Sequence, residues 1–462
     1  VIPQTEKAYN LLHEGSIALA QVEANGIRID MDYLKKATKH TEYKMKKHQE
    51  RLLKTDIFKE WKKFYKKKTN YDSTDQLGKV LFDLMGYECT AFTEKGNKKT
   101  DEDTLSKIDD PTVKRYFKLK KLKKVMSTYL GGISKEVWKG YLHPQFHLNI
   151  VKTYRSSSSN PNFQNLPIRN VEMGNLVRTA FIAREGRQLV ELDYSGIEVS
   201  IAACYHKDPT MLSYLKDPTK DMHRDMAAQC YKLETDQVTK LARYYGKNMF
   251  VFPQFYGDWY IKCASSLWEV TGNKDLVTAD GIPIREHLKS KGIHRLGDLN
   301  PREKPGRGTF EQHIKNVEKD FWNRRFKVYD KWKRKWYETY KSQGYFTSLT
   351  GFTYQGFYTR NEVINYAVQG SAFHCLLWSL IRLQKELRKR NMKTLIIGQI
   401  HDSILADVPE NELQRFLKLA KWVMTTQLKK NWRWINVPID IEAEVCPLGG
   451  SWADKKEMKI PA

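Results

Sequence analysis

The stretch LIIGQIHDSILADV, residues 395–408, limits the fold more than any other part of the chain. Apolar residues crowd both sides of His401, Asp402 and Ser403, so it reads as two short strands joined at a tight turn that carries an acid. Burying a carboxylate without a partner costs several kcal/mol. The chain must therefore bury two apolar arms in one sheet and find a partner for Asp402 at their tip.

A second acid has a comparable setting. In LVELDYSG a β-rich run ends near Asp193, where the chain turns into a helix. Carboxylates on the ends of adjacent strands suit two-metal phosphoryl transfer, which needs a lowered pKa on an attacking hydroxyl and a countercharge on the leaving pyrophosphate. Taken singly, each Asp reads better as a helix cap or a turn residue, where Asp is common. Their wide separation in the chain gives no reason to bring them together.

RYYGKNMFVFPQFYG, residues 243–257, is the third signal. Arg243 and Lys247 are four apart and share a helix face, and aromatics follow at Phe250, Phe252, Phe255 and Tyr256. Cations followed by rings suit a nucleoside triphosphate, with phosphates on the cations and a base on a ring. An amphipathic helix with buried rings and solvated cations explains the same residues.

Composition bounds these readings. The 462 residues exceed one ordinary core, and a net charge of +25 favours polyanions such as nucleic acid. A basic surface that only keeps the chain soluble, or attraction to anionic membranes, accounts for the same charge, and charge alone does not choose among them. Six scattered cysteines without a Cys-x-x-Cys pair argue against a zinc ribbon or a disulfide framework. No run is long and apolar enough for a membrane span, no signal-peptide pattern opens the chain, and the first residue is Val, as expected of a fragment or a processed product.

Along the chain, residues 8–55 have helical spacing broken at Asn25-Gly26, and Asp72 or Ser73 is placed to cap a following helix. Helices with a basic face follow to about residue 130. TYRSSSSNPNFQNLPIRN reads as a loop, yet Arg155, Gln164, Asn165 and Arg169 are unusual in a mere spacer. Helices dominate from about 195 to 260, residues 272–310 read as an insertion or long loop, and VINYAVQGSAFHCLLWSLIRLQKEL reads as a long buried helix. The hairpin, one more helix and one more strand complete the chain.

Together these motifs resemble the polymerase region of family A (polymerase I type) DNA polymerases, in a phage- or plastid-like variant. The TYRSSSSNPNFQNLPIRN loop is similar to that family's TGRLSS-x-x-PNLQNIP segment. LDYSGIE resembles its motif A, Arg243 with Lys247 its motif B, INYAVQGSA its N-x-x-x-QG helix, QIHDSI its motif C and PLGGSW its terminal Gly-x-x-Trp. They occur in the family's order over nearly the whole chain. The resemblance implies an α+β right-hand architecture, with mostly helical thumb and fingers and a palm built on an antiparallel sheet. Its expected division is a thumb and N-terminal helical region over 1–150, palm over 151–205, fingers over 206–345 with the insertion, and palm again over 346–462.

By that resemblance Asp193 and Asp402 hold two Mg²⁺ ions, with the Tyr194 carbonyl as a further ligand. Glu198 is the steric gate against a ribose 2′-hydroxyl, and Arg243, Lys247 and His223 hold the triphosphate. Phe252 and Tyr256 are the aromatic positions of motif B, and Arg155, Gln164, Asn165, Asn365, Gln369 and His401 line primer and template. Four departures stand out. Ser403 occupies the usual Glu position of motif C, and Gly196 a usual Gln position of motif A. Motif B has one residue too many, so its stacking ring is Phe255 counted from Lys247 or Tyr256 counted from Gly257; the Tyr-Gly pair kept from the family's motif favours Tyr256. The stretch between Tyr256 and Gly344 is also longer than expected.

The function implied is template-directed DNA polymerisation in replication, on primer–template DNA and dNTPs, by a monomer in a bacterial, phage-infected or plastid compartment. No 3′–5′ exonuclease motifs occur; that activity would lie upstream in a longer protein or be lacking, and the partners implied beyond DNA and dNTPs are replication accessory proteins or an upstream exonuclease domain. Ser403 and Gly196 favour a rival reading, a catalytically impaired DNA-binding scaffold. A single-subunit RNA polymerase relative is the other rival, and Glu198 argues against it.

Overall fold

The apolar hairpin arms are buried in an antiparallel five-stranded sheet. Its strands are β1 (Arg187–Tyr194), β2 (Leu395–Ile400), β3 (Ser403–Pro409), β4 (Ile441–Val445) and β5 (Lys456–Met458), in the order β2-β3-β1-β4-β5. In the computed structural model residues 2–89, 91–93, 96–167 and 171–461 are described, and Arg169 lies outside them. Every residue of β3 except Pro409 is buried, so the run of apolar residues reflects cover on both faces rather than one. The chain ends in two strands, β4 and β5, where the sequence suggested one.

Helices Glu6–Asn25 (α1), Ile197–His206 (α2) and Arg360–Lys389 (α3) pack in the main core around this sheet. Thr359 caps α3 through a reciprocal bond pair with Glu362, and apolar residues all round the helix commit it to the interior. Gly370 in α3 has a packing reason: a Cβ there would stand 2.1 Å from the Tyr354 hydroxyl and 2.7 Å from the Thr153 carbonyl. Its absence lets the 150s loop lie against the helix, which positions Arg155. The break at Asn25-Gly26 is real, with Gly26 at φ 62° closing α1 before Met31–Leu53 begins.

A second, smaller core gathers Leu52, Phe58, Trp61, Leu81, Leu105 and Tyr116, and its buried residues all lie within 52–119. Ser73, not Asp72, caps the short helix there, accepting from the Gln76 amide at 3.2 Å. Residues 272–310 are not featureless: Ile284–Ser290 is helical, and Leu276, Ile284, Leu288 and Ile293 are buried in the main core. No helix among the described residues is long and apolar enough to cross a membrane.

Candidate active site

Strand pairing brings a second acid, Asp193, to the hairpin turn that carries Asp402. In the register of β1 and β3, Asp193 lies opposite Ser403, the residue that follows Asp402, and on its other side β4 places Glu442 opposite Asp193. His401 and Asp402 form the two-residue hairpin turn, which requires a positive φ that His401 adopts at 49°. Burial is the largest reason that the Asp193 carboxyl is pushed up to about 7, and the charges of Asp402, Glu191 and Glu442 add to it. Burial also raises Asp402, with the Glu198 charge acting the same way. Asp193 Oδ1 is buried with no hydrogen-bond partner.

Two carboxylates that repel their own charge in a buried setting are stabilised by a cation. The donor set fits Mg²⁺, a hard ion that takes one or two carboxylates and keeps oxygen ligands from water and phosphate. No group of three His, Cys, Asp or Glu side chains is assembled for a metal among the described residues. Ser403 contributes no charge here: it is buried, and its hydroxyl donates back to the Ile400 carbonyl at 3.0 Å. The Tyr194 ring points away into the core, where its hydroxyl meets Ser379 Oγ at 2.8 Å and the Met424 carbonyl at 2.9 Å.

Immediately after β1 the chain turns at Gly196, which caps α2 in the left-handed region at φ 63°. A side chain there would be strained by about 1–2 kcal/mol, so Gly suits this backbone where Gln is the expected residue. The turn delivers Glu198 one residue into α2. Its Oε2 accepts from the Tyr256 hydroxyl at 2.6 Å, and Arg155 forms an ion pair with its Oε1.

The extra residue of motif B is absorbed within its helix. Lys240–Gly246 is α-helical, Lys247–Val251 is a π-helical turn, and Phe252–Tyr256 is α-helical again. A π-turn accommodates one additional residue without rotating the flanking helix. Tyr256, not Phe255, consequently faces Glu198, while Phe255 packs into a cluster with Phe321, Phe326 and Tyr329. Gly257 ends the helix at φ 94°, where a Cβ would stand 2.4 Å from Asn361.

The three expected phosphate-binding residues form one group beside Phe252. Lys247 Nζ lies 5.1 Å from the Phe252 ring, and the His223 ring meets that ring edge-on at 5.7 Å. Arg243 Nε donates to Asp221 Oδ2 at 2.6 Å. Burial, then the charges of Lys247 and Arg243, hold His223 down to about 4. Its neutral form leaves the positive charge of the group on Arg243 and Lys247.

A cavity of about 330 Å³ joins several of these residues: Arg155, Glu198, Phe252, Tyr256, Asn365, Gln369, His401 and Asp402 all line it. Asn365 also donates to the Tyr256 carbonyl at 3.2 Å. Two residues expected along primer and template do not line this cavity. Gln164 is buried beneath it, donating to Ser156 Oγ and Gln399 Oε1, each at 2.7 Å. Asn165 is exposed, and its backbone carbonyl accepts from Tyr129 at 3.0 Å.

Sequence reasoning missed several partners. Asp221, in front of His223, both caps the Met222–Tyr231 helix and holds Arg243. Gln399 donates to the His401 carbonyl at 2.8 Å and so ties the hairpin turn to the Ser156-Gln164 pair. A glutamine within an apolar strand was the available signal. Trp452 of the PLGGSW segment donates to Glu191 Oε2 at 2.9 Å, and Lys455 reaches the same oxygen at 2.6 Å, which fixes β1 two residues before Asp193.

The chain as a whole has counterparts in known proteins. The family model described as DNA polymerase family A matches residues 32–272 and 315–454, leaving most of the 272–310 insertion outside. A thermostable DNA polymerase I of Thermus thermophilus is 29% identical over 450 residues, covering 96% of this chain and 48% of the relative. A DNA polymerase of Bacillus phage SP01 is 26% identical, covering 98% of this chain and 51% of its own length. The chain thus spans about half the length of these curated relatives. A solved structure, the POL domain of Pol1 from M. smegmatis in complex with DNA primer-template and dNTP, superimposes with a TM-score of 0.74 at 23% identity, over 96% of this chain and 70% of that one. Its fold is therefore the same α+β polymerase fold, and with most of its length matched by the family model, the chain belongs to DNA polymerase family A.

Proposed function

We propose that this chain is the polymerase region of a template-directed DNA polymerase acting in DNA replication, which extends a primer 3′-hydroxyl with dNTPs. The observation that carries the reading is that a single cavity joins Asp402 of the acidic pair to the Glu198–Tyr256 gate, and Phe252 joins that gate to the cationic group. Asp193, Asp402 and the Tyr194 carbonyl would hold two Mg²⁺ ions, which when bound lower the pKa of the primer hydroxyl and neutralise the leaving pyrophosphate. Arg243 and Lys247 draw the triphosphate alongside Phe252, and Asp221 keeps the Arg243 guanidinium aimed. Glu198, clamped by Arg155 and Tyr256, occupies the space that a 2′-hydroxyl would need. Asn365, Gln369 and His401 line the same space and would contact primer and template, for which acceptors common to all base pairs suffice. The Gln164 side chain would act indirectly, by supporting the hairpin turn through Gln399.

Primer extension with Asp193→Ala or Asp402→Ala tests this. The expected loss is about 4 kcal/mol or more, roughly 10³-fold in rate, at unchanged affinity for primer–template DNA. Near-normal extension by either variant ends the assignment. Ser403 supports the scaffold reading, which predicts DNA binding without any Mg²⁺-dependent extension by the unmodified chain.

A further inference from the structure

A second cavity adjoins the active-site cavity at Tyr256. Phe255, Tyr256 and Asn365 line both; the second has a volume of about 200 Å³ and lies behind the end of the motif B helix, and Trp259, 47% exposed, stands at its edge. Glu318, Trp322 and Asp330 of that cavity are in turn shared with a third, of about 520 Å³. The third cavity is lined by Lys304, Lys315, Lys319 and Arg334. Arg334 is paired with Asp330 at 2.7 Å, whereas Lys304, Lys315 and Lys319 have no carboxylate partner among the described residues. Lys304 belongs to the insertion, outside the stretches matched to the family.

We propose that this third cavity is a binding groove for the unpaired template strand 5′ of the templating base, and that the insertion extends it through Lys304. The proposal rests on the polymerase reading. A template-directed enzyme must lead its unpaired strand away from the nucleotide site, and three adjoining cavities that share lining residues lead from that site to Lys304 and Lys319, with Lys315 beside them over the Tyr260 ring at 4.9 Å. Exposed rings beside a basic groove are what a single strand needs, since rings stack on any base and lysines follow the phosphates. A free phosphate or nucleotide would use the cations but not the connection to Tyr256 and Trp259.

Lys304→Glu with Lys319→Glu, both at exposed positions, provides the test. Binding is measured by fluorescence anisotropy on primer–templates with about ten unpaired template nucleotides and with one; the double variant should bind the long overhang roughly 5- to 20-fold more weakly, with a salt slope reduced by about two. Affinity for the short overhang, and extension on it, should change less than about twofold, which also reports a folded chain. Equal weakening on both substrates would assign the lysines to the general field of the protein and overturn the groove. No weakening on either, or competition by inorganic phosphate in place of the overhang, would overturn it as well. Absence of extension by the unmodified chain would instead refute the polymerase reading.

Discussion

Tyr256 donates its phenolic proton to Glu198 Oε2 at 2.6 Å while Arg155 holds the other carboxylate oxygen. Both oxygens are thereby committed, and the carboxylate has one favoured position facing the cavity. Positioning of this kind, rather than the mere presence of an acid, is what lets a side chain discriminate by shape.

The gate proposed at Glu198 can be tested in steps. Glu198→Ala should raise the use of NTPs relative to dNTPs by roughly 10- to 200-fold. Tyr256→Phe keeps the ring and loses only the tether, so its effect should be about 1 kcal/mol, roughly fivefold. Competing incorporation of matched NTP and dNTP measures both. Unchanged discrimination in Glu198→Ala would remove Glu198 from that role.

The π-turn predicts an unusual tolerance. Deleting Asn248, an exposed residue within Lys247–Val251, restores the four-residue spacing from Lys247 to Phe252 and leaves the helix on both sides in register. The thermal midpoint should shift by no more than a few degrees, with primer extension retained. Deleting exposed Tyr244 in the α-helical part has no such remedy; it rotates Arg243 away from Asp221 and should abolish extension. Equivalent behaviour of the two deletions would contradict this account.

Asp221 has two separable duties. Asp221→Ala removes the cap of Met222–Tyr231, costing about 1 kcal/mol of stability, and releases Arg243. Asp221→Asn can still accept at the cap but loses the charge that holds Arg243. The Asn variant should therefore keep the wild-type melting temperature and still show a dNTP KM raised about tenfold, equivalent to about 1.4 kcal/mol. A KM that rises only in the Ala variant would reduce Asp221 to a cap.

Asp193 gives a pH signature. Its folded pKa, near 7, is raised above the unfolded value of 3.8, chiefly by burial. The folded state therefore binds the proton more tightly, and the associated stability is fully present below the unfolded value and lost as pH rises to about 7. Without Mg²⁺, Asp193→Asn should melt a few degrees above the wild type at pH 8, with the gap closing towards pH 4. Added Mg²⁺ should stabilise the wild type at pH 8 and the variant much less. Melting curves across pH would reject the idea if the gap were constant.

The sequence alone was enough for the elements and for the ordered motifs. The apolar arms around Asp402, the cap at Ser73, the break at Gly26 and the long helix at Arg360–Lys389 follow from local periodicity and turn chemistry, which neighbouring residues determine. It also located the irregularity in motif B by counting. Pairing was another matter. Asp193 meets Asp402 because β1 runs beside β3 in one register, and strand register is set by which faces are buried across the sheet, not by distance along the chain. The same holds for Asp221 under Arg243, for Gln399 behind the hairpin turn, and for Trp452 on Glu191. Each is a contact between separate elements, and only packing in three dimensions brings such side chains within reach of one another.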